Sequence, residues 1–123
     1  MLSGCSDLHH EHITGRYYLV AIDTKETMSL CYSVNDDNSS FVDVIGMCVY
    51  SIGYNDKYII AKQHPSNNRD TIVYYIVPIH KEFNYFPEKN VIGPLSDAQF
   101  RKTRKKLFIP DGLTFTYTIR SLE

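Results

Sequence analysis

Three runs of β-branched and aromatic residues lie within residues 41–79, and two polar breaks separate them. The runs cover residues 41–52, 57–63 and 71–79; the breaks are Gly53-Tyr54-Asn55-Asp56 and residues 64–70. Side chains of this kind fit a pleated, half-buried surface, and the Gly, Asn, Asp and Pro of the breaks reverse the chain. A three-stranded antiparallel meander follows, and the remaining elements must pack around it. In residues 41–52 both alternate faces carry apolar side chains, which predicts one central strand covered on both sides. Gly46 in its middle predicts a bulge or close packing beneath a larger side chain.

Further strands read on either side. Residues 16–22 (RYYLVAI) form one, and residues 28–34 another, with period-2 alternation that predicts one buried and one solvated face. Met28, Leu30, Tyr32 and Val34 share the buried parity, so Cys31 falls on the opposite, more polar face. Cys48 shares its parity with Val44, Tyr50 and Ile52 and reads as a buried thiol. A Cys31–Cys48 bridge would need a strand register that sequence leaves open. Residues 35–40 (NDDNSS) are a loop, without the spacing of a calcium-binding one.

Past the meander, residues 81–94 are irregular and aromatic. Ser96 then opens a helix: it is the N-cap, Gln99 completes a capping box, and Leu95 and Phe100 occupy the positions of a hydrophobic staple. The helix is expected to reach about Phe108, with Phe100, Thr103 and Leu107 on its docking stripe, before Pro110-Asp111-Gly112 turns the chain. Residues 113–119 close the fold as a strand, with Leu113, Phe115, Tyr117 and Ile119 inward. The expected core includes Leu19, Leu30, Val44, Tyr50, Ile60, Ile76, Phe100, Leu107 and Phe115. At 123 residues the chain can bury such a core without disulfides or metals. The expected architecture is α+β: an antiparallel sheet of about six strands, strongly twisted or partly barrelled, with one helix in the C-terminal region.

The domain expected to hold this core is residues 15–123, preceded by residues 1–14 as a start and flexible tether. Within that start, Leu2-Ser3-Gly4-Cys5 resembles the lipobox of bacterial lipoproteins, in which the chain is cut before a cysteine that is then lipidated. The resemblance implies Cys5 as the lipidation site, with a basic and apolar signal segment upstream of Met1. His9, His10 and His12 are good ligands for transition metals, but their spacing is not H-E-x-x-H and a tether gives them no preset geometry, so no metal site is assigned.

Charge is unevenly spread. Residues 1–56 hold eight acids against two bases, whereas residues 57–123 hold eleven bases against six acids. Five of those bases, Arg101, Lys102, Arg104, Lys105 and Lys106, fall in six residues of the predicted helix. The like-charge pairs Arg101/Lys105 and Lys102/Lys106 each cost about 0.2–0.5 kcal/mol, offset in part by the helix macrodipole. Arg101, Lys102, Lys105 and Lys106 are therefore candidate contacts for an anionic partner, membrane headgroups or a protein, against the alternative of a solvated face. The acidic N-terminal half argues against a nucleic-acid partner. No G-x-S-x-G, P-loop, H-E-x-x-H or G-x-G-x-x-G is present, so neither an enzymatic activity nor a cofactor is expected. His64 and His80 flank the third run, but sequence brings neither beside a cysteine.

The segments NDKYIIAKQHP (residues 55–65), YYIVPI (74–79) and VIGPL (91–95) resemble a family of small bacterial proteins of unknown function, whose members are often described as lipoproteins. The similarity spans about residues 15–119 and carries no catalytic signature. It implies a lipid-anchored, extracytoplasmic interaction module in the cell envelope. The alternative is a soluble cytoplasmic protein, either a partner-binding regulator or a small enzyme.

Overall fold

The structure, a computed structural model, describes residues 9–22, 24–35, 40–80 and 82–123. Among these residues it contains nine strands and one α-helix: β1 (His9–Thr14), β2 (Tyr17–Ala21), β3 (Ser29–Ser33), β4 (Phe41–Ile45), β5 (Val49–Tyr54), β6 (Tyr58–Gln63), β7 (Val73–Pro78), β8 (Ile92–Leu95), α1 (Asp97–Lys106) and β9 (Tyr117–Thr118). Every pairing is antiparallel, in a first sheet of order β1-β2-β3-β4 and a second of order β8-β7-β6-β5-β9. The α+β class, the antiparallel pairing and the single late helix are those expected; the sheets do not close into a barrel.

The meander of β5, β6 and β7 is present, but the first run of residues 41–79 is not one central strand. It breaks at Gly46-Met47-Cys48 into β4 and β5, which belong to different sheets. Both parities of that run are apolar because each half buries its own face, not because one strand is covered on two sides. Gly46 lies at the corner with open space around its Cα rather than beneath a large side chain. The buried amide of Gln63 holds the corner: its Nε2 donates to the carbonyls of Gly46 (2.8 Å) and Met47 (3.0 Å), while its Oε1 accepts from the Tyr75 hydroxyl (2.8 Å). Val49 N–H donates to Met28 O across the same junction (2.9 Å).

The two sheets pack face to face through one apolar cluster that includes Leu19, Leu30 and Met28 from the first sheet's side and Ile52, Ile59 and Val77 from the second, all essentially inaccessible to water. On the other face of the second sheet, Ile60 and Ile76 form a separate cluster with Phe100 of α1 and with Ile109 and Leu113 beyond it. The result is three layers: first sheet, second sheet, helix. Of the expected core, Leu107 and Phe115 are partly buried in the helix-side cluster and the other seven are buried. Close approach dictates one glycine. A Cβ on Gly53 would overlap the carbonyl of Thr114, so this position lets the chain entering β9 lie directly on β5.

The capping box of α1 is formed: Ser96 Oγ accepts from Gln99 N–H (3.2 Å) and Gln99 Oε1 accepts from Ser96 N–H (2.9 Å). The closing strand is regular only at Tyr117–Thr118, although Thr116 N–H and Ile119 N–H also donate to Ile52 O and Tyr50 O of β5. The larger difference lies at the N-terminus. Residues 9–14, polar in composition and read as tether, form β1. Gly15, at φ +56°, makes the reversal into β2, Ile13 is buried between the sheets, and β1 pairs with β2 over five residue pairs. The pattern HHEHIT carries too little apolar content to announce a strand, and β2 supplies its partner.

Candidate functional site

The helix covers one face of the second sheet and the first sheet covers the other. Neither of these layers covers the outer face of the first sheet. Cross-strand register decides which side chains stand on that face. Tyr18 pairs with Cys31 and Cys31 with Asp43, giving one row; His10, Val20 and Ser29 give the next; Ser33 and Phe41 lie beyond. Opposed residues in an antiparallel sheet share a face, so the core residues Leu19 and Leu30 leave this set pointing outward.

At one end of the face the rings interlock. His10 meets Tyr18 and Phe41 edge-on, each with centroids 5.1 Å apart, and Tyr18 meets Phe41 at 5.2 Å. His12 tilts against Tyr18 at 4.9 Å, and its Nε2 donates to Gly15 O (2.9 Å). From Phe41 a groove of about 610 Å³ runs along the sheet, walled by Val20, Ile22, Phe41 and Met47 and floored by Ser29, Cys31 and Asp43. Four other concavities among the described residues are smaller, at about 90–290 Å³. Ile22 and Met47 are 56% and 58% exposed, so two large apolar side chains stand in water at its rim. Cys31 is 4% exposed, and its thiol donates to Asp43 Oδ1 (3.3 Å). Asp43 is on the exposed side of β4 and is the only charged side chain among the described residues that line the groove. An apolar trough with one carboxylate in its floor is suited to a small apolar group carrying a hydrogen-bond donor or a positive charge.

The residues singled out from sequence fall in several places. Cys5 lies outside the described residues. His10 and His12 stand on strand β1 against Tyr18, and the side chain of His9 lies outside what is described. Among the described residues no three His, Cys, Asp or Glu side chains are placed to hold a metal ion. Arg101, Lys102, Lys105 and Lys106 are all exposed on α1, away from the groove and beyond the second sheet. Arg101 pairs with Asp97 one turn back (3.0 Å). Arg104 differs from its neighbours: Nη2 donates to the carbonyls of Pro110 and Leu113 (both 2.7 Å), so it ties down the turn after the helix.

Cys31 and Cys48 are both free thiols. His64 is 1% exposed, stacked on the Tyr50 ring with centroids 4.2 Å apart, and its Nδ1 donates to Thr71 O (2.9 Å). Its Nε2 has no hydrogen-bond partner among the described residues. Cys48 lies alongside, with its carbonyl accepting from His64 N–H (3.0 Å), but its thiol donates to Asn67 Oδ1 (3.7 Å). Burial pushes the Cys48 thiol up, Glu26 adds to this, and Arg69 opposes it. A nucleophilic cysteine needs the reverse shift.

Sequence reasoning passed over Phe41, Asp43, Ile22 and Met47. Asp43 had a readable signal, a carboxylate inside an otherwise apolar run. Its proximity to Cys31 depends on the β3–β4 register, which a bulge between Leu30 and Cys31 offsets by one residue.

The fold and this face define a small α+β domain of two stacked antiparallel sheets with an open groove on one of them. The chain belongs to DUF3997, a family of proteins of unknown function, whose model matches residues 14–120. Comparison with curated proteins found no match, and neither did comparison with solved structures.

Proposed function

We propose that this chain is a lipid-anchored extracytoplasmic binding module, attached through Cys5 and presenting the groove of the first sheet to a small apolar ligand with a cationic or hydrogen-bond-donating group. The groove carries the binding half of the reading: apolar walls, two exposed apolar side chains at the rim and, among the described residues that line it, one carboxylate. Burial of the ligand's apolar part supplies affinity, and Asp43 selects for charge and orients it. Support for the anchor half comes from Leu2-Ser3-Gly4-Cys5 and the resemblance to lipoproteins. With β1 beginning at His9, four residue steps separate it from Cys5, a reach of at most ~14 Å when extended. On this reading the domain sits close against the bilayer rather than on a long tether.

Expression of the full-length gene in its host, followed by detergent phase partitioning and mass spectrometry of the N-terminal peptide, tests the anchor. Wild type is expected in the detergent phase with lipidated Cys5, and Cys5→Ala in the aqueous phase. An unlipidated Cys5 on a cytosolic protein would refute the anchor and favour the intracellular, partner-binding alternative. The groove is tested separately by thermal shift with an alkylamine and an alkyl carboxylate of equal chain length. The amine should stabilise wild type more, and Asp43→Asn should abolish that preference.

A further inference from the structure

Phe108 is 91% exposed, the highest value among the large apolar side chains of the described residues. It also stands where an aromatic residue is disfavoured. Helix α1 ends in a Schellman turn: Ile109 N–H donates to Arg104 O (2.9 Å) and Phe108 N–H to Lys105 O (3.1 Å). Phe108 occupies the left-handed position of that turn, at φ +57°, where glycine or asparagine is usual because a Cβ crowds the backbone. The fold has no evident use for the ring. The apolar contact of the turn is made by Ile109, 5% exposed, and by Leu107, both in the helix-side cluster.

The surroundings of the ring are cationic. Lys105 and Lys106 precede it in the last turn, Arg101 and Lys102 lie one turn earlier, and all four are exposed. Lys102, Lys105 and Lys106 have no ion-pair partner among the described residues. Arg101, Arg104 and Lys105 also line a cleft of about 280 Å³ between α1 and the following turn, closed by Ile109 and Asp111. Favourable interaction with the helix dipole accounts for lysines at a helix C-terminus. It does not account for an exposed phenyl ring in a left-handed backbone position beside them.

We propose that the C-terminal end of α1 is an interfacial membrane-contact element: Phe108 enters the headgroup region of an anionic bilayer while Arg101, Lys102, Lys105 and Lys106 engage the lipid phosphates. Aromatic rings settle at the membrane–water interface, and each basic side chain near an anionic surface adds to the attraction. The element rests on the membrane location proposed above and adds to it a second attachment that is independent of Cys5. A lipid anchor fixes one point of the chain and leaves the domain free to turn, whereas a basic and aromatic contact would hold this end of α1 against the headgroups.

The chain contains no tryptophan, so Phe108→Trp places the one tryptophan fluorophore at the proposed contact. The test uses the full chain with Cys5→Ala, so no acyl anchor contributes. Vesicles of phosphatidylcholine mixed with phosphatidylglycerol should shift the Phe108→Trp emission to the blue, and vesicles of phosphatidylcholine alone should not. The shift should fade as added salt cuts the screening length from ~30 Å to ~8 Å. Each of Lys102, Lys105 and Lys106 replaced by Gln should weaken binding about fivefold. In the same background with native Phe108, Phe108→Gly should weaken sedimentation with anionic vesicles by about tenfold or more, while the variant remains folded because glycine suits the turn. Binding without a blue shift, or undiminished in Phe108→Gly, would overturn the proposal, as would an equal fluorescence response to double-stranded DNA. The Cys5 lipidation experiment reads the anchor alone, so the two can fail separately.

Discussion

Replacing Gln63 by alanine tests whether the corner between β4 and β5 joins the two sheets as described. The Gln63 side chain is 7% exposed and makes three hydrogen bonds, two from its amide nitrogen to the Gly46 and Met47 carbonyls and one to its oxygen from the Tyr75 hydroxyl. Each intramolecular hydrogen bond contributes about 1 kcal/mol net, and a buried polar atom stripped of its partner costs about 1–3 kcal/mol. Gly46 and Met47 are exposed residues, so water replaces part of what their carbonyls lose. The Tyr75 hydroxyl, whose pKa burial already raises, has less access. Gln63→Ala should therefore cost about 2–3 kcal/mol, and Tyr75→Phe, which leaves Gln63 with its two bonds from Nε2, about 1 kcal/mol. In the double variant the hydroxyl is not orphaned, so the combined loss should fall short of the sum of the two. Urea denaturation followed by far-ultraviolet circular dichroism measures all three variants, with the midpoint moving and the slope unchanged. A loss below ~0.5 kcal/mol for Gln63→Ala, the range of ordinary surface substitutions, would refute the assignment of this side chain as the clamp of the corner.

Other outcomes follow from single features. Gly53→Ala should destabilise by about 2–3 kcal/mol in the same assay, because its Cβ would overlap the backbone carbonyl of Thr114 and force the chain before β9 away from β5. Phe108→Gly should raise stability by about 0.5–1 kcal/mol, the relief of a left-handed Cβ less the added entropy of the unfolded chain, readable as a higher urea midpoint. Alkaline titration should unfold the chain between pH 10 and 12. Burial, with Tyr32 nearby, pushes the Tyr17 hydroxyl from 10.0 to about 12, and burial, with Tyr74 and Glu123 nearby, does the same to Tyr50. The folded state thus holds protons that the unfolded chain has lost, so this stability is complete below pH 10 and is lost as pH rises through about 12. Tyr17→Phe and Tyr50→Phe should each flatten the fall of the urea midpoint with pH across that interval.

What was legible in the sequence was local. The capping box from Ser96 to Gln99 is a four-residue pattern whose bonds are local to the chain, and α1 starts where it says. The strands β2, β3, β6 and β7 announce themselves by period and by β-branched side chains, and the parity of Cys31 was enough to place it on the outer face. What was not legible depends on partners distant in sequence. The doubly apolar run of residues 41–52 fits one buried strand as well as two half-buried strands in different sheets. Only Gln63, reaching Gly46 and Met47 from the far end of β6, distinguishes the two. Strand β1 is polar because its outward residues meet solvent and aromatic rings, and β2 supplies its order.

The same distinction governs the candidate site. Cys31 and Asp43 lie twelve residues apart and meet through a bulged register, so neither residue type nor spacing signals the pair. The basic stripe of α1 is plain in the sequence, but in sequence Phe108 marks only the place where the helix ends. Structure changes its meaning: Ile109 and Leu107 already make the apolar contacts, the backbone at Phe108 is one that glycine would occupy more easily, and the ring stands in water among cations. A helix end built for stability alone would carry glycine at this position. Phenylalanine there costs the fold something and serves only an external surface, which makes the opposite effects of Phe108→Gly on stability and on vesicle binding the measurement that separates function from packing.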